Sequence, residues 1–367
     1  LYYGLARVDE KGRIDKTFAD KGFTFGQFRP PFNASGGKVA VHGKWIYMLG
    51  YTYLDADSDF PPEHLTITRF TEQGVLDSDF AAGGHLILPN LAIEQLITDS
   101  SCLAIQPDGK IVISATYHAP GNERRLSGVL YRINPDGTLD NSFNTTGRLN
   151  VMLNGGADIT SVNEMQLQGD KILIVGGVRQ IDGEKGYFAR YNNNGTVDMT
   201  FGEAATPGVY VLNLADTTLN ALIQTTDDRF VGLGKSGIDR DEEGLLIPIK
   251  GLLLGMNADG RPDQHFNRGQ PVLTSLNEQL GDNWHAGFMD ADRRLTVASV
   301  HGSVHFARFL DNGLLDTHFG TDGKVDEDTD ANAKPVFLQR RLEKRFVFGG
   351  NTSGISSFLG VLWAYWS

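Results

Sequence analysis

Arg132, Gly137, Asp140 and Phe143 lie close together in the stretch LYRINPDGTLDNSF. A carboxylate beside a guanidinium can act as a general acid or base, and a glycine turn beside a cation is the start of a phosphate loop. Recurrence separates these readings from architecture, because a catalytic group is needed once and a fold-building turn is needed in every repeat. Other residues suggest chemistry by type and spacing. GLGKSG at 232–237 matches Gly-x-Gly-x-x-Gly. It is followed by IDRDEEG instead of a helix, and Arg229 stands where a phosphate loop requires glycine, so nucleotide binding is set aside. Ser35 and Lys38 resemble a nucleophile pair only in their letters, within a glycine-rich loop. His301 and His305 have ligand spacing, but no carboxylate is close to them in sequence. Asp55, Asp57 and Asp59, and again Asp326, Asp328 and Asp330, alternate along acidic stretches that are expected to be loops. Such oxygen-rich loops suit Ca²⁺, the one cofactor the sequence suggests, and a solvated acidic loop is the simpler reading of both.

The first motif returns at blade-like intervals. Arg7, Asp15 and Phe18 are followed by Arg69, Asp77 and Phe80, then by Arg132, Asp140 and Phe143, and by Arg190, Asp198 and Phe201. Asp263 and Phe266 form a fifth copy with Gly255 in the arginine position, and Arg308, Asp316 and Phe319 form a sixth. The aspartates are 62, 63, 58, 65 and 53 residues apart. A second marker keeps the same period, a basic residue entering a short apolar run at Lys44, Lys110, Lys171, Arg229, Arg294 and Arg345. Two unrelated markers on one beat define a structural unit of about sixty residues. The motif is therefore expected to build the fold: the aspartate caps a tight turn, the phenylalanine anchors it, and the arginine pairs with the aspartate or with turn carbonyls. At the fifth copy, which lacks the arginine, the aspartate is expected to act mainly as a cap.

Each unit reads as four short strands bounded by Gly, Asn, Asp and Pro, without helical periodicity. The expectation is an all-β, six-bladed β-propeller of four-stranded antiparallel blades, with a seven-bladed variant as the alternative. Residues 1–367 would form one domain, closed by pairing between the N- and C-terminal segments, with Gly22–Phe28 completing the last blade. Trp363, Tyr365 and Trp366 would seal the join.

The run Arg-x-Asn-x-Asp-Gly-x-Leu-Asp-x-x-Phe, recurring at about sixty residues along nearly the whole chain, resembles the delta-60 repeat family of bacterial proteins. The resemblance implies a propeller-like, exported or surface-associated bacterial protein, with a cytoplasmic one as the alternative. It brings no catalytic residues.

Composition narrows the partners. With 33 basic against 45 acidic residues the formal charge is −12, which disfavours nucleic acid and anionic lipid. The one basic cluster, Arg340, Arg341, Lys344 and Arg345, is short. No apolar run is long enough for a membrane helix, so no membrane insertion is expected. The single cysteine, Cys102, excludes an internal disulfide framework. The connections between second and third strands vary in length, at 51–64, 117–128, 177–186 and 234–251, and variable loops on a rigid scaffold are where recognition concentrates. Tyr51, Tyr53, Asp57, Tyr117, Arg124, Arg125 and Arg179 are the expected ligand contacts. The first functional reading is a non-enzymatic protein that binds a protein or glycan through that face. The alternatives are a glycosidase- or lactonase-like hydrolase with carboxylates in the central channel, and a purely structural module.

Overall fold

The computed structural model describes residues 2–9, 11–54, 63–89, 95–119, 122–153, 159–225, 228–238, 240–241, 243–301, 304–327, 334–342, 345–353 and 358–366. Side chains beyond 326 fall outside the description. Two compact units divide the chain: Leu1–Ile172 with Tyr191–Thr196, and Leu173–Arg190 with Val197–Ser367.

In the first unit, β1 (Tyr3–Ala6) pairs antiparallel with β2 (Phe23–Gly26). A four-stranded sheet follows, β3 (Ala34–His42), β4 (Trp45–Tyr53), β5 (Glu63–Thr71) and β6 (His85–Ile87), in sequence order. A second repeats it with β7 (Gln95–Ile105), β8 (Ile111–Ala119), β9 (Asn122–Ile133) and β10 (Arg148–Asn150). The short β11 (Ile159–Thr160) and β12 (Glu164–Gln168) come next. In the second unit β13 (Lys171–Gln180), β14 (Gly183–Tyr191) and β15 (Val209–Val211) lie side by side. Two more four-stranded sheets follow: β16 (Thr217–Gln224), β17 (Phe230–Ser236), β18 (Lys250–Met256) and β19 (Val272–Thr274), then β20 (Trp284–Met289), β21 (Leu295–Val300), β22 (Val304–Phe309) and β23 (Lys324–Glu327). The chain ends in a three-stranded sheet, β24 (Lys334–Leu342), β25 (Arg345–Ser353) and β26 (Phe358–Trp366). Among the described residues there is no α-helix, only a single 3₁₀ turn at Asn267–Gly269, and no helix is long and apolar enough to cross a membrane.

Packing explains the strand sequences. The second strands are covered on both faces, so they read as continuous apolar runs and not as an alternation. Residues 111–117 of β8 are all buried, as are 172–178 of β13. The fourth strands β6, β10, β15 and β19 have only three residues each, which limits the exposed backbone at each sheet edge.

The recurrent corner links each repeat to the next. After β9, Gly137 N–H donates to the Asn134 carbonyl, Asp140 N–H to Arg132 and Phe143 N–H to Asp140, so the chain reverses in three hydrogen-bonded steps. Asn144 N–H then leaves its own repeat and donates to the carbonyl of Asn194, at 3.0 Å. The same step joins Ala19 to Gln73, Ala81 to Asp136, Gly202 to Asp259 and Asn267 to Asn312. The turn of the following repeat sits on the phenylalanine of the preceding one. A Cβ on Gly195 would lie 3.0 Å from the Phe143 ring, and one on Gly74 would lie 2.5 Å from Phe18. Both glycines also have φ near +80°, so each is required twice over.

Asp140 and Arg132 are almost fully buried together at this corner, whereas Asp15 and Arg7 are partly exposed. Replacing Asp140 by Ala leaves Arg132 buried without its carboxylate, and should lower unfolding free energy by about 3 kcal/mol. Asp15→Ala should cost clearly less. Urea midpoints of the two variants check this, and an equal loss at both positions would contradict it.

Candidate binding site

The corner carboxylates are fully engaged. Asp140 Oδ1 accepts hydrogen bonds from the Ser142 N–H and hydroxyl at 3.0 and 2.7 Å, while Oδ2 takes Arg132 Nε at 2.7 Å and Lys110 Nζ at 3.1 Å. This combines the expected cap with the expected ion pair. The arginine does more than pair. Arg132 Nη1 donates to the Asn193 carbonyl, Arg69 Nη1 to Pro135, Arg7 Nη1 to Glu72 and Arg190 Nη1 to Ala258, each in the following repeat. Each of these guanidiniums also lies over its own phenylalanine ring, at 4.7 to 5.1 Å from the centroid. Arg308, Asp316 and Phe319 reproduce the internal part of the arrangement.

The fifth corner corrects one expectation. Asp263 is not left to cap alone, because Arg229, the residue before β17, reaches it at 2.6 Å. Gly255 has no room for a side chain, since a Cβ there would meet Phe266 at 2.4 Å. In two repeats the second marker reaches the corner aspartate, Lys110 on Asp140 and Arg229 on Asp263, whereas Arg294 pairs with Asp290 and Asp292.

Burial pushes the Asp198 carboxyl up, but hydrogen bonds from the Thr200 hydroxyl and N–H and from Arg190 outweigh it and bring the pKa down to about 2. Asp140 and Asp316 are also held below the ordinary carboxylate range. In both, burial is opposed by hydrogen bonds, from Ser142 and Lys110 in one and from Arg308 and the His318 N–H in the other. These are ionised, committed groups.

The expected loop face is built differently from the sequence reading. β8 and β9 continue to Ala119 and from Asn122, with Tyr117 opposite Ser127 and His118 opposite Leu126. Continuing the ladder satisfies backbone N–H and C=O groups that a loop would leave to solvent, so 117–119 and 122–128 are paired strands. Residues 177–186 likewise belong mostly to β13 and β14. Tyr117 is therefore a core residue, fully buried, its hydroxyl accepting from that of Tyr131 at 3.2 Å. Arg125 and Arg179 are exposed on strands, and the side chain of Arg124 lies outside the described residues. Tyr51 and Tyr53 stand two apart on β4 with rings edge to face, 5.9 Å between centroids. The Tyr53 hydroxyl donates to Glu63 at 3.3 Å, and burial, then Tyr51 and Glu63, push it well above the ordinary phenol range. Asp55, Asp57, Asp59, Asp328 and Asp330 lie outside the described residues. Asp326 is exposed on β23, 3.1 Å from Lys324 Nζ. No group of three metal-binding side chains occurs among the described residues.

The GLGKSG run falls largely within β17, which is extended backbone and not a phosphate loop. The two histidines part company. His301 Nε2 meets the Ile247 carbonyl at 2.9 Å, while His305 Nε2 meets Asp282 Oδ1 at 3.0 Å with both side chains fully buried. A carboxylate partner does exist, brought from 23 residues upstream by the pairing of β20, β21 and β22.

Sequence reasoning missed a groove of about 790 Å³ in the second unit, between the fourth corner with β15 and the fifth corner. Glu203, Tyr210, Asn213, Arg261, Gln264 and Gln270 line it. A signal was present. Phe201 to Gly208 spans seven positions, whereas Phe18 to Gly22, Phe80 to Gly84, Phe143 to Gly147 and Phe319 to Gly323 each span four.

Comparison with known proteins agrees with this architecture. A family described as "Domain of unknown function (DUF5122) beta-propeller" matches residues 106–143 and 168–201, which supports a propeller-like repeat. No curated protein matches the chain. A protein of unknown function from Dyadobacter fermentans DSM 18053 is similar in structure, with TM-score 0.54 and 10% identity over 92% of this chain and 96% of that one. An alpha-L-arabinofuranosidase from Fusarium graminearum gives 0.48 and 8% over 91% and 92%. Drosophila Semaphorin 2a gives 0.45 and 8% over 86% and 62%. At 10% identity the likeness to the Dyadobacter fermentans protein is one of fold alone.

The depressed carboxylates set an acid limit. A carboxyl whose folded pKa is lowered contributes stability above its unfolded value, and that contribution is lost as pH falls through the folded value. For Asp198 the window runs from about 4, its unfolded range, down to about 2. The denaturation midpoint should hold steady from neutrality to about pH 5 as far as these groups act, then fall, and Asp198→Asn should flatten that fall. An unchanged acid slope in the variant would contradict the assignment.

Proposed function

We propose that the protein is a binding scaffold of the β-propeller type: six repeats form one ring, closed by its terminal segments, and the connections between second and third strands engage a protein or glycan. The observation that carries this reading is the Tyr51, Tyr53 and Glu63 cluster where β4 and β5 leave their sheet. Two aromatic rings and a carboxylate at a loop mouth combine apolar area with hydrogen-bonding groups, a pairing suited to recognition. Asp140, Asp198 and Asp316 support binding over hydrolysis at the corners, because hydrogen bonds and a cation hold each below the ordinary carboxylate range, whereas a general acid needs a raised pKa. Calcium is the candidate ion for the two acidic runs. The delta-60 resemblance supports an exported or surface-associated bacterial setting.

The test pairs shape with binding. A closed ring of 367 residues should scatter with a radius of gyration near ~21 Å, and an open row would exceed it. On a glycan array and in pull-downs from a cell-envelope extract, wild type should retain a ligand that the Tyr51→Ala, Tyr53→Ala variant loses by tenfold or more at unchanged melting temperature. Blank arrays and pull-downs, or turnover of an arrayed glycan, would overturn the reading.

A further inference from the structure

The groove in the second unit lies where the repeat breaks its own rules on both sides. Its near wall carries the three-residue lengthening between Phe201 and Gly208. The far wall follows from the corner that has Gly255 for arginine and Pro262 for the usual aliphatic residue. That wall turns through Asn267 and Arg268, both with positive φ, at 45° and 57°. Asn144 and Thr145 turn the third corner in the same way, at 46° and 62°, but there the glycine follows the phenylalanine by four residues, at Gly147, and here by three, at Gly269.

The regular corners consume their polar side chains. Ser142 and Thr200 bind Asp140 and Asp198, and Asn144 binds the Arg148 carbonyl. Around the groove this economy stops. Glu203, Asn213, Gln264 and Gln270 are exposed, and their side chains make no hydrogen bond to any described residue. Gln264 lies against the turn, its Nε2 2.4 Å from where a Cβ on Gly269 would be, and the positive φ of Gly269, 72°, is what calls for glycine there. Tyr210 supplies a half-buried ring, braced by Phe188 at 6.4 Å between centroids. Burial and then Glu203 raise its hydroxyl pKa, so it is a donor at neutral pH. Leu214, Pro262 and Pro271 provide apolar surface.

We infer that this groove is a binding site for a neutral oligosaccharide, distinct from the loop face proposed above. A sugar ring presents hydroxyl edges and an apolar C–H face. Amides and a carboxylate with free donor and acceptor capacity match the edges, and an aromatic ring with proline and leucine matches the face. Charge argues the same way. Glu203 is opposed by Arg261, which Asp259 holds at 3.5 Å, so the groove is neither the cationic clamp a phosphorylated or sulfated ligand needs nor an anionic channel for a basic peptide. The volume lies within the ~300–1,000 Å³ of small-ligand sites.

Titration of the whole chain with cellopentaose, mannopentaose, xylopentaose and chitopentaose tests the site, with a sulfated heparin hexasaccharide as the charged control. At least one neutral sugar should bind. Gln264→Ala with Gln270→Ala should weaken it tenfold or more, as should Glu203→Gln alone, with melting temperature unchanged because all three side chains are exposed. Tyr53→Ala should leave this affinity intact, which separates the groove from the loop face. Binding of none of the four, preference for the sulfated control, or affinity that survives the double variant would each overturn the assignment.

Discussion

The joint on which the repeats depend is a guanidinium that bonds in two directions, as it does at four of the six corners. Its Nε holds the aspartate of its own corner, its Nη1 holds a carbonyl of the next repeat's turn, and its flat face covers the corner phenylalanine. A short, three-residue fourth strand offers little lateral adhesion. The corner supplies what the strands lack, a charge-assisted bond between successive repeats, protected from water by the ring it lies on. An aspartate that looks catalytic in isolation is in this setting a mortise joint, and its low pKa follows from being one.

The joint tolerates variation because in two repeats a second basic position reaches the carboxylate. In the third repeat both act, Arg132 and Lys110 on Asp140. In the fifth, the first is lost to Gly255, and Arg229, the residue before β17, holds Asp263 alone. The fifth corner is also one residue shorter, from Phe266 to Gly269, and the groove lies beside it.

The repeat, the strand content and the capping role of the aspartates were legible in the sequence because they are local: Asn-Pro-Asp-Gly turns, Asp-x-x-Phe corners and apolar runs fall within single stretches. What could not be read comes from residues brought together by pairing. Arg229 reaches Asp263 across neighbouring strands, and Asp282 meets His305 through three of them. Tyr117 was legible as a conspicuous aromatic but not as a core residue, because His118 and Ala119 extend the ladder of β8 where the polar residues that follow suggest a loop. The groove has a sequence signal in the long fourth corner, yet its chemistry depends on Gln264 and Gln270 from the next one.

Amide hydrogen exchange in the native protein tests the central claim most directly. If the corners bind repeat to repeat, the N–H groups of Ala19, Ala81, Asn144, Gly202 and Asn267 should exchange as slowly as those in the middle of β8 and β17, and Arg132→Lys should speed exchange selectively at Asn144. Fast exchange at all five amides, or an Arg132→Lys protein in which Asn144 stays as protected as before, would contradict it.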